Sequence, residues 1–415
     1  MRIGRFLYVD GINGSNINVG NINNPFKTIQ YALDYSKPND TIYVKNGIYN
    51  ERILLPKSGT YKYPIKLKNY PGHTPVVDGT GITWNGNKSW GALIDLNKKS
   101  HWIIEGLHVK NSYAMGIGVS YFVAENPVHK SITIRDCHTT DTNGSGIHVM
   151  LGEDIKIEHC TVTRACKELG HEGISINNVN GFEVKDCRVI DCFKEAIDAK
   201  DGSRNGSIHG CFVSGGVRCG IYIDAFSKKS YNIDVYENTV TIPNGVGFST
   251  GAESGGVLKD ITFQNNIVYD SLRGFNIASH NNESNKPYKI QRITIQNNTV
   301  FNVTYTGVFI TATVEDVVID NNILHPSANS APLGIHVFNF TLTDKKELKV
   351  KNNIFKATTK NNPNLLFGDD YITVRDTDSL MVDPFGTRSG SRDFRVVASS
   401  YSKKDIGASL NWRKY

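Results

Sequence analysis

The sequence predicts an all-β fold, a single-stranded parallel β-helix, from three observations. A segment of the form I-x-I-x-x-[C/N]-x-V recurs from residue 102 onward, as in "ITIRDCHTT", "IKIEHCTVT", "ITFQNNIV" and "LKVKNNIF". Between its copies runs a second element, G-[I/V/F]-x-[V/I], whose starts from Gly116 to Gly334 lie 23 to 33 residues apart. The sixth position of the first segment reads Cys137, Cys160, Cys187 and Cys211, then Asn238, Asn266, Asn298, Asn322 and Asn353. Alternation with period two is the pattern of half-buried strands, and a fixed repeat of this length is that of a solenoid. Stacked coils explain the column: asparagines bond along it, and cysteines fill it as small apolar groups.

In chain order, residues 25–37, "PFKTIQYALDYSK", place Phe26, Ile29, Ala32 and Leu33 at helical spacing, which predicts a short N-terminal capping helix. "DTIYVKNGIYNERILL" and "YPIKLKNYPG" read as the first strands. One domain, 1–415, is expected, with the cap and first strands over 1–60, coils over 61–360 and a C-terminal cap over 361–415, where "DFRVVASSYSKKDIGASLNW" breaks the repeat. Caps protect the open edges of a solenoid. Seven cysteines without a CxxC pair predict free buried thiols and no zinc site.

Hydrophobic residues are 39% of the 415, which excludes general disorder. A formal charge of +6 does not specify nucleic acid as a partner and suits an acidic polymer substrate. No stretch of about eighteen uncharged apolar residues occurs, so no membrane partner is expected. No signal h-region opens the chain, and the expectation is a mature secreted form or a phage particle component rather than a cytoplasmic housekeeping enzyme. "NGNKSW" at Asn87 and the "GGV" turns at Gly215 and Gly255 carry no function.

The opening "FLYVDGINGSNINVGNINNPFKTIQYALDYSKPNDTIYVKNGIYNERI", the coils and the "DFRVV…DIGA" ending together resemble the pectate-lyase-like, right-handed parallel β-helix superfamily over nearly the full length. The resemblance implies a right-handed solenoid. It leaves the reaction open among polysaccharide lyases, glycoside hydrolases, epimerases and phage tailspikes.

In the second element, isoleucines at the second and fourth positions face the core, so the first, third and fifth are expected to face outward. The first is glycine in every coil but that of Ala196, an almost bare column that either starts strands after tight turns or leaves room for a ligand. The third reads Gly118, His148, Ser175, Asp198, Tyr222, Ser249, Asn276, Phe309 and His336. The fifth reads Ser120, Met150, Asn177, Lys200, Asp224, Gly251, Ala278, Thr311 and Phe338. Charge concentrates at Asp198, Lys200, Asp201 and Asp224, with His171, Glu172, Lys194, Glu195 and Arg218 just before the glycine column and Glu253 and His280 just past it. A salt-bridge ladder is the bland account. The coincidence with Tyr222, suited to stacking on a sugar ring, favours a site. His148 and His336 read as lone surface groups.

The expected function is a polysaccharide lyase cleaving an acidic, uronic-acid-containing polysaccharide by β-elimination. That reaction needs a base and a cation for the substrate carboxylate. Lys200 is the base candidate, and Arg218 is the alternative base or carboxylate clamp. His171 and Lys194 could also neutralise the carboxylate, and they line the substrate with Glu172, Glu195, Tyr222 and His280. Asp198, Asp201 and Asp224 are candidate Ca²⁺ ligands, although no dense aspartate motif is present. The alternative enzyme is a glycoside hydrolase using paired carboxylates among Asp198, Asp224 and Glu253. The non-enzymatic alternative is a glycan-binding or tailspike-like rod. A monomer is expected, and a homotrimer if it is a tailspike.

Overall fold

The computed structural model describes residues 3–84, 90–119, 129–280, 287–327, 333–337 and 348–356, and the strands Ile372–Val374, Met381–Asp383 and Asp393–Val396. Asn87, Ser120, Phe338 and most of the expected C-terminal cap lie outside the described residues. The chain divides into two compact units, Met1–Ala199 and Lys200–Tyr415.

Each unit is built from coils of three short strands. In the first, His129–Arg135 leads through Asp136 to His138–Thr140, and a turn leads to Ile147–Met150. Asp136 stands at φ 52°, and Leu151, which leads into the next coil, at φ 55°. One left-handed residue therefore makes each of these two corners. That conformation costs most L-residues roughly 1–2 kcal/mol, and Asn, Asp and Gly bear it best, which is why they precede the Cys/Asn column in most coils.

Equivalent strands pair in parallel and in register. In the first unit Ile117 pairs with Ile147 and Ile147 with Ile174. In the second, Ile221, Phe248, Phe275 and Val308 form one row. These apolar positions are fully buried, and the rings of Phe248 and Phe275 stack with centroids 5.1 Å apart. Each such side chain contributes about 1.5–3 kcal/mol on burial. An antiparallel pair, Met381–Asp383 with Asp393–Val396, departs from the pattern.

The Cys/Asn column is internal, as expected, and all seven cysteines are buried thiols outside any disulfide. In the second unit Asn238 Nδ2 donates to Asn266 Oδ1 at 3.0 Å and to the Ile208 carbonyl at 2.9 Å. Asn266 Oδ1 also accepts the Asn238 backbone N–H, and Asn298 and Asn322 repeat the scheme. The buried amides are thus satisfied by the stacking itself.

Two local expectations are corrected. The helix spans Ile29–Tyr35, later than the pattern suggested, because Thr28 is extended and accepts the Tyr31 N–H while Phe26 bonds to Tyr8. The first strand is Phe6–Val9, upstream of the segments read as first, and it pairs with Thr41–Val44. Among the described residues no helix is long and apolar enough to cross a membrane.

Candidate functional site

The glycine column faces the other way from the sequence expectation. A Cβ at Gly146 would sit 2.5 Å from Val162 Cγ1, and one at Gly220 2.5 Å from Val240 Cγ1. At Gly247 and Gly274 the collisions are with Val268 and Val300. These glycines let the strand close onto the valines of the neighbouring sheet and leave no groove for a ligand. The bare outward position in the second unit is Gly251, and the Tyr222 hydroxyl lies directly over it.

In the first unit the third-position column runs Gly118, His148, Ser175 in register. The Ile174 N–H donates to the Ala196 carbonyl as the Ile147 N–H donates to that of Gly173, which aligns Asp198 with Ser175. These positions are not the solvated sheet face that alternation implied: His148 and Asp198 are each only 2% exposed and Ser175 is fully buried. Trp90 is the reason on the histidine side, with its ring 5.2 Å from that of His171 and 6.3 Å from that of His148. The two imidazoles stack 6.1 Å apart. His148 is therefore corrected from a lone surface group to a member of a buried aromatic cluster. Glu172 and Glu195 are buried on successive coils, joined by the Gly173 N–H donating to the Glu195 carbonyl. Lys194 is half-buried beside Gly170.

In the second unit the Asp201 N–H donates to the Asp224 carbonyl at 3.1 Å, which by the same register sets Lys200 opposite Asp224. Lys200 is half-buried and Asp224 only 8% exposed. Tyr222, Ser249, Asn276 and Phe309 form the adjoining column, and Asn276 Nδ2 lies 3.3 Å from Ser249 Oγ. Glu253 is half-buried and its backbone pairs with that of His280, as the spacing predicted. The side chains of His280 and His336 lie outside the described residues. Arg218 is exposed, and its carbonyl accepts the Val246 N–H.

Asp201 does a structural task. Its Oδ1 accepts the Ser227 N–H at 2.8 Å, the Lys228 N–H at 2.9 Å and the Ser227 hydroxyl at 3.3 Å, in a left-handed turn at φ 39°. A cation on that oxygen would displace these donors. Among the described residues no group of three or more His, Cys, Asp or Glu side chains is placed to hold a metal ion.

Sequence reasoning missed Arg273. Its guanidinium lies 4.3 Å over the Phe309 ring and 5.0 Å from the centre of the Tyr305 ring. The available signal was "RGFN", which puts a cation just before a glycine whose counterparts follow Cys219, Val246 and Thr306.

The model of the Pel9A-like right-handed beta helix region matches residues 7–329. The chain belongs to this family. It is 26% identical over 332 residues to the uncharacterized protein YwoF of Bacillus subtilis (strain 168), covering 74% of this chain and 64% of that protein. The chain thus spans less than two thirds of that relative's length. The native GH136 lacto-N-biosidase from Eubacterium ramulus superposes with a TM-score of 0.59 at 12% identity, over 85% of this chain and 68% of the other. A rhamnogalacturonan lyase does so with a TM-score of 0.52 at 16% identity, over 84% and 87%. At such identities these likenesses establish the fold, one that hosts both lyases and a glycoside hydrolase.

Proposed function

We propose that the protein is a polysaccharide lyase that cleaves a uronic-acid-containing polymer by β-elimination. The observation that carries this reading is the placement of an amine, Lys200, opposite Asp224 and beside the polar column Tyr222, Ser249 and Asn276. Elimination requires a base that removes the weakly acidic proton next to the uronate carboxylate, and a neutral amine can do so. The C–H bond breaks, a C=C bond forms, and the glycosidic C–O bond breaks. Lys200 holds the proton, and the departing oxygen takes one from water. Tyr222 lies along the strand face over Gly251, where its ring can meet the apolar face of a sugar. The helix Ile29–Tyr35, α1, buries Ile29, Ala32 and Leu33 and seals the N-terminal end of the first unit.

One observation favours a glycoside hydrolase as the second reading. Asp224 pairs with Gly251, so Glu253 lies diagonally from it across one strand. Diagonal neighbours are about 7–8 Å apart, a backbone spacing comparable with the ~6.5–9.5 Å between the carboxyl groups of inverting glycosidases. Substitutions separate the two. Under elimination, Lys200→Ala loses at least ~100-fold in rate, whereas Glu253→Gln retains activity because water can protonate the leaving oxygen. If Lys200→Ala keeps full turnover while Asp224→Asn and Glu253→Gln abolish it, the protein is a hydrolase.

A further inference from the structure

We infer that Arg273 is the receptor for a carboxylate of the substrate, the residue by which the second unit distinguishes an acidic sugar chain from a neutral one. The inference rests on the uronate reading above and deepens it.

Arg273 heads the strand Arg273–His280, and its backbone pairs with Val246 on one side and Thr306 on the other. The next coil supplies both rings against which the guanidinium lies, Tyr305 and Phe309. Phe309 stands in register with Asn276 in the column that also holds Ser249 and Tyr222, which places the cation on the same face as those groups. Phe309 and Tyr305 meet edge to face, with centroids 5.7 Å apart and planes at 77°, and together they hold the guanidinium carbon against this face, where its N–H groups can donate to a planar acceptor. The Nε of Arg273 is shielded from solvent and has no hydrogen-bond partner among the described residues, and the same holds for Asn276 Oδ1. A buried donor and a buried acceptor left open on one face cost stability unless a ligand completes them. A uronate offers both complements, a carboxylate that accepts from the guanidinium edge and a hydroxyl that donates to an amide oxygen.

A purely structural cation against two rings is the competing account. It differs in one consequence, because it gives the arginine no preference for charged over neutral sugar. Arg218 is a weaker candidate for the task, since it is exposed and a carboxylate bound there would stay largely hydrated.

The test is affinity electrophoresis of wild type, Arg273→Gln and Arg273→Lys through gels containing polygalacturonate, alginate, glucuronan or hyaluronan, and through the carboxyl-reduced form of each. Circular dichroism and thermal melts accompany each variant. The wild type is expected to be retained by at least one acidic polymer more strongly than by its reduced form. That preference should fall at least ~10-fold in Arg273→Gln and by less in Arg273→Lys, which keeps the charge without the fork. A wild type without preference, a folded Arg273→Gln variant with the preference intact, or equal loss of both polymers overturns the inference. Elimination that proceeds unchanged in Arg273→Gln refutes Arg273 and leaves the lyase reading standing. Charge-selective retention through Arg273 without any elimination does the reverse.

Discussion

Glu237 occupies the left-handed corner before Asn238 at φ 55°, where other coils use Asp136, Asp186, Gly210 or Asn265. Its side chain is exposed, so only backbone strain distinguishes it. Glu237→Gly relieves that strain at some cost in unfolded-chain entropy, and the net is a stabilisation of about 0.5–1 kcal/mol, measured as a higher urea midpoint at unchanged slope. Lys200 makes a different prediction. If its neutral amine is the base, the rate rises toward alkaline pH as the amine loses its proton, whereas two carboxylates give a bell that falls on that side. A pH–rate profile of the wild type distinguishes them. At this scale the sequence displayed the charged residues through their offsets from the glycine column. Arg273 escaped because its significance depends on Tyr305 and Phe309, which lie on the next coil.

Single strands and columns are where the sequence was read both best and worst. Register followed directly from alternation, so Tyr222, Ser249 and Asn276 align as the spacing indicated. The glycine column was misread, because alternation says which way a side chain points only while the strand stays regular, and these glycines sit where it turns into the corner. Gly247→Ala puts a methyl group 2.6 Å from Val268 Cγ2 and 2.8 Å from the Gly274 carbonyl oxygen. Such overpacking should destabilise by about 1–3 kcal/mol in chemical denaturation, and an unchanged midpoint would restore the bare groove. Asn298→Ala removes the amide that accepts from the Asn266 N–H and Nδ2 and donates to the Asn322 side chain and the Phe263 carbonyl. With these buried groups left open, a loss of about 3 kcal/mol or more is expected in the same measurement. The burial of His148 was illegible for a related reason: Trp90, which covers it, is 58 positions away in the chain.

For the molecule as a whole, acid sensitivity and catalysis are the properties that can be measured without dissection. Burial holds the fully enclosed His129 down to a pKa of about 4, against 6.5 ordinarily. As pH falls the unfolded chain takes up this proton first, so the stabilisation is full above about pH 6.5, declines from there, and is lost on passing through about pH 4. The total is on the order of 3 kcal/mol, and His129→Leu should flatten that part of the stability profile. The family and its fold were visible in sequence because stacking repeats the same constraint in every coil, whereas the reaction depends on a few side chains that do not repeat. Elimination is the proposed reaction. It is tested most directly by following unsaturated uronide absorbance and reducing ends together in one reaction on pectate, alginate, glucuronan and hyaluronan, with Ca²⁺ and with chelator. Absorbance is expected to rise in step with reducing ends on at least one polymer. Reducing ends released without absorbance would contradict it and establish hydrolysis.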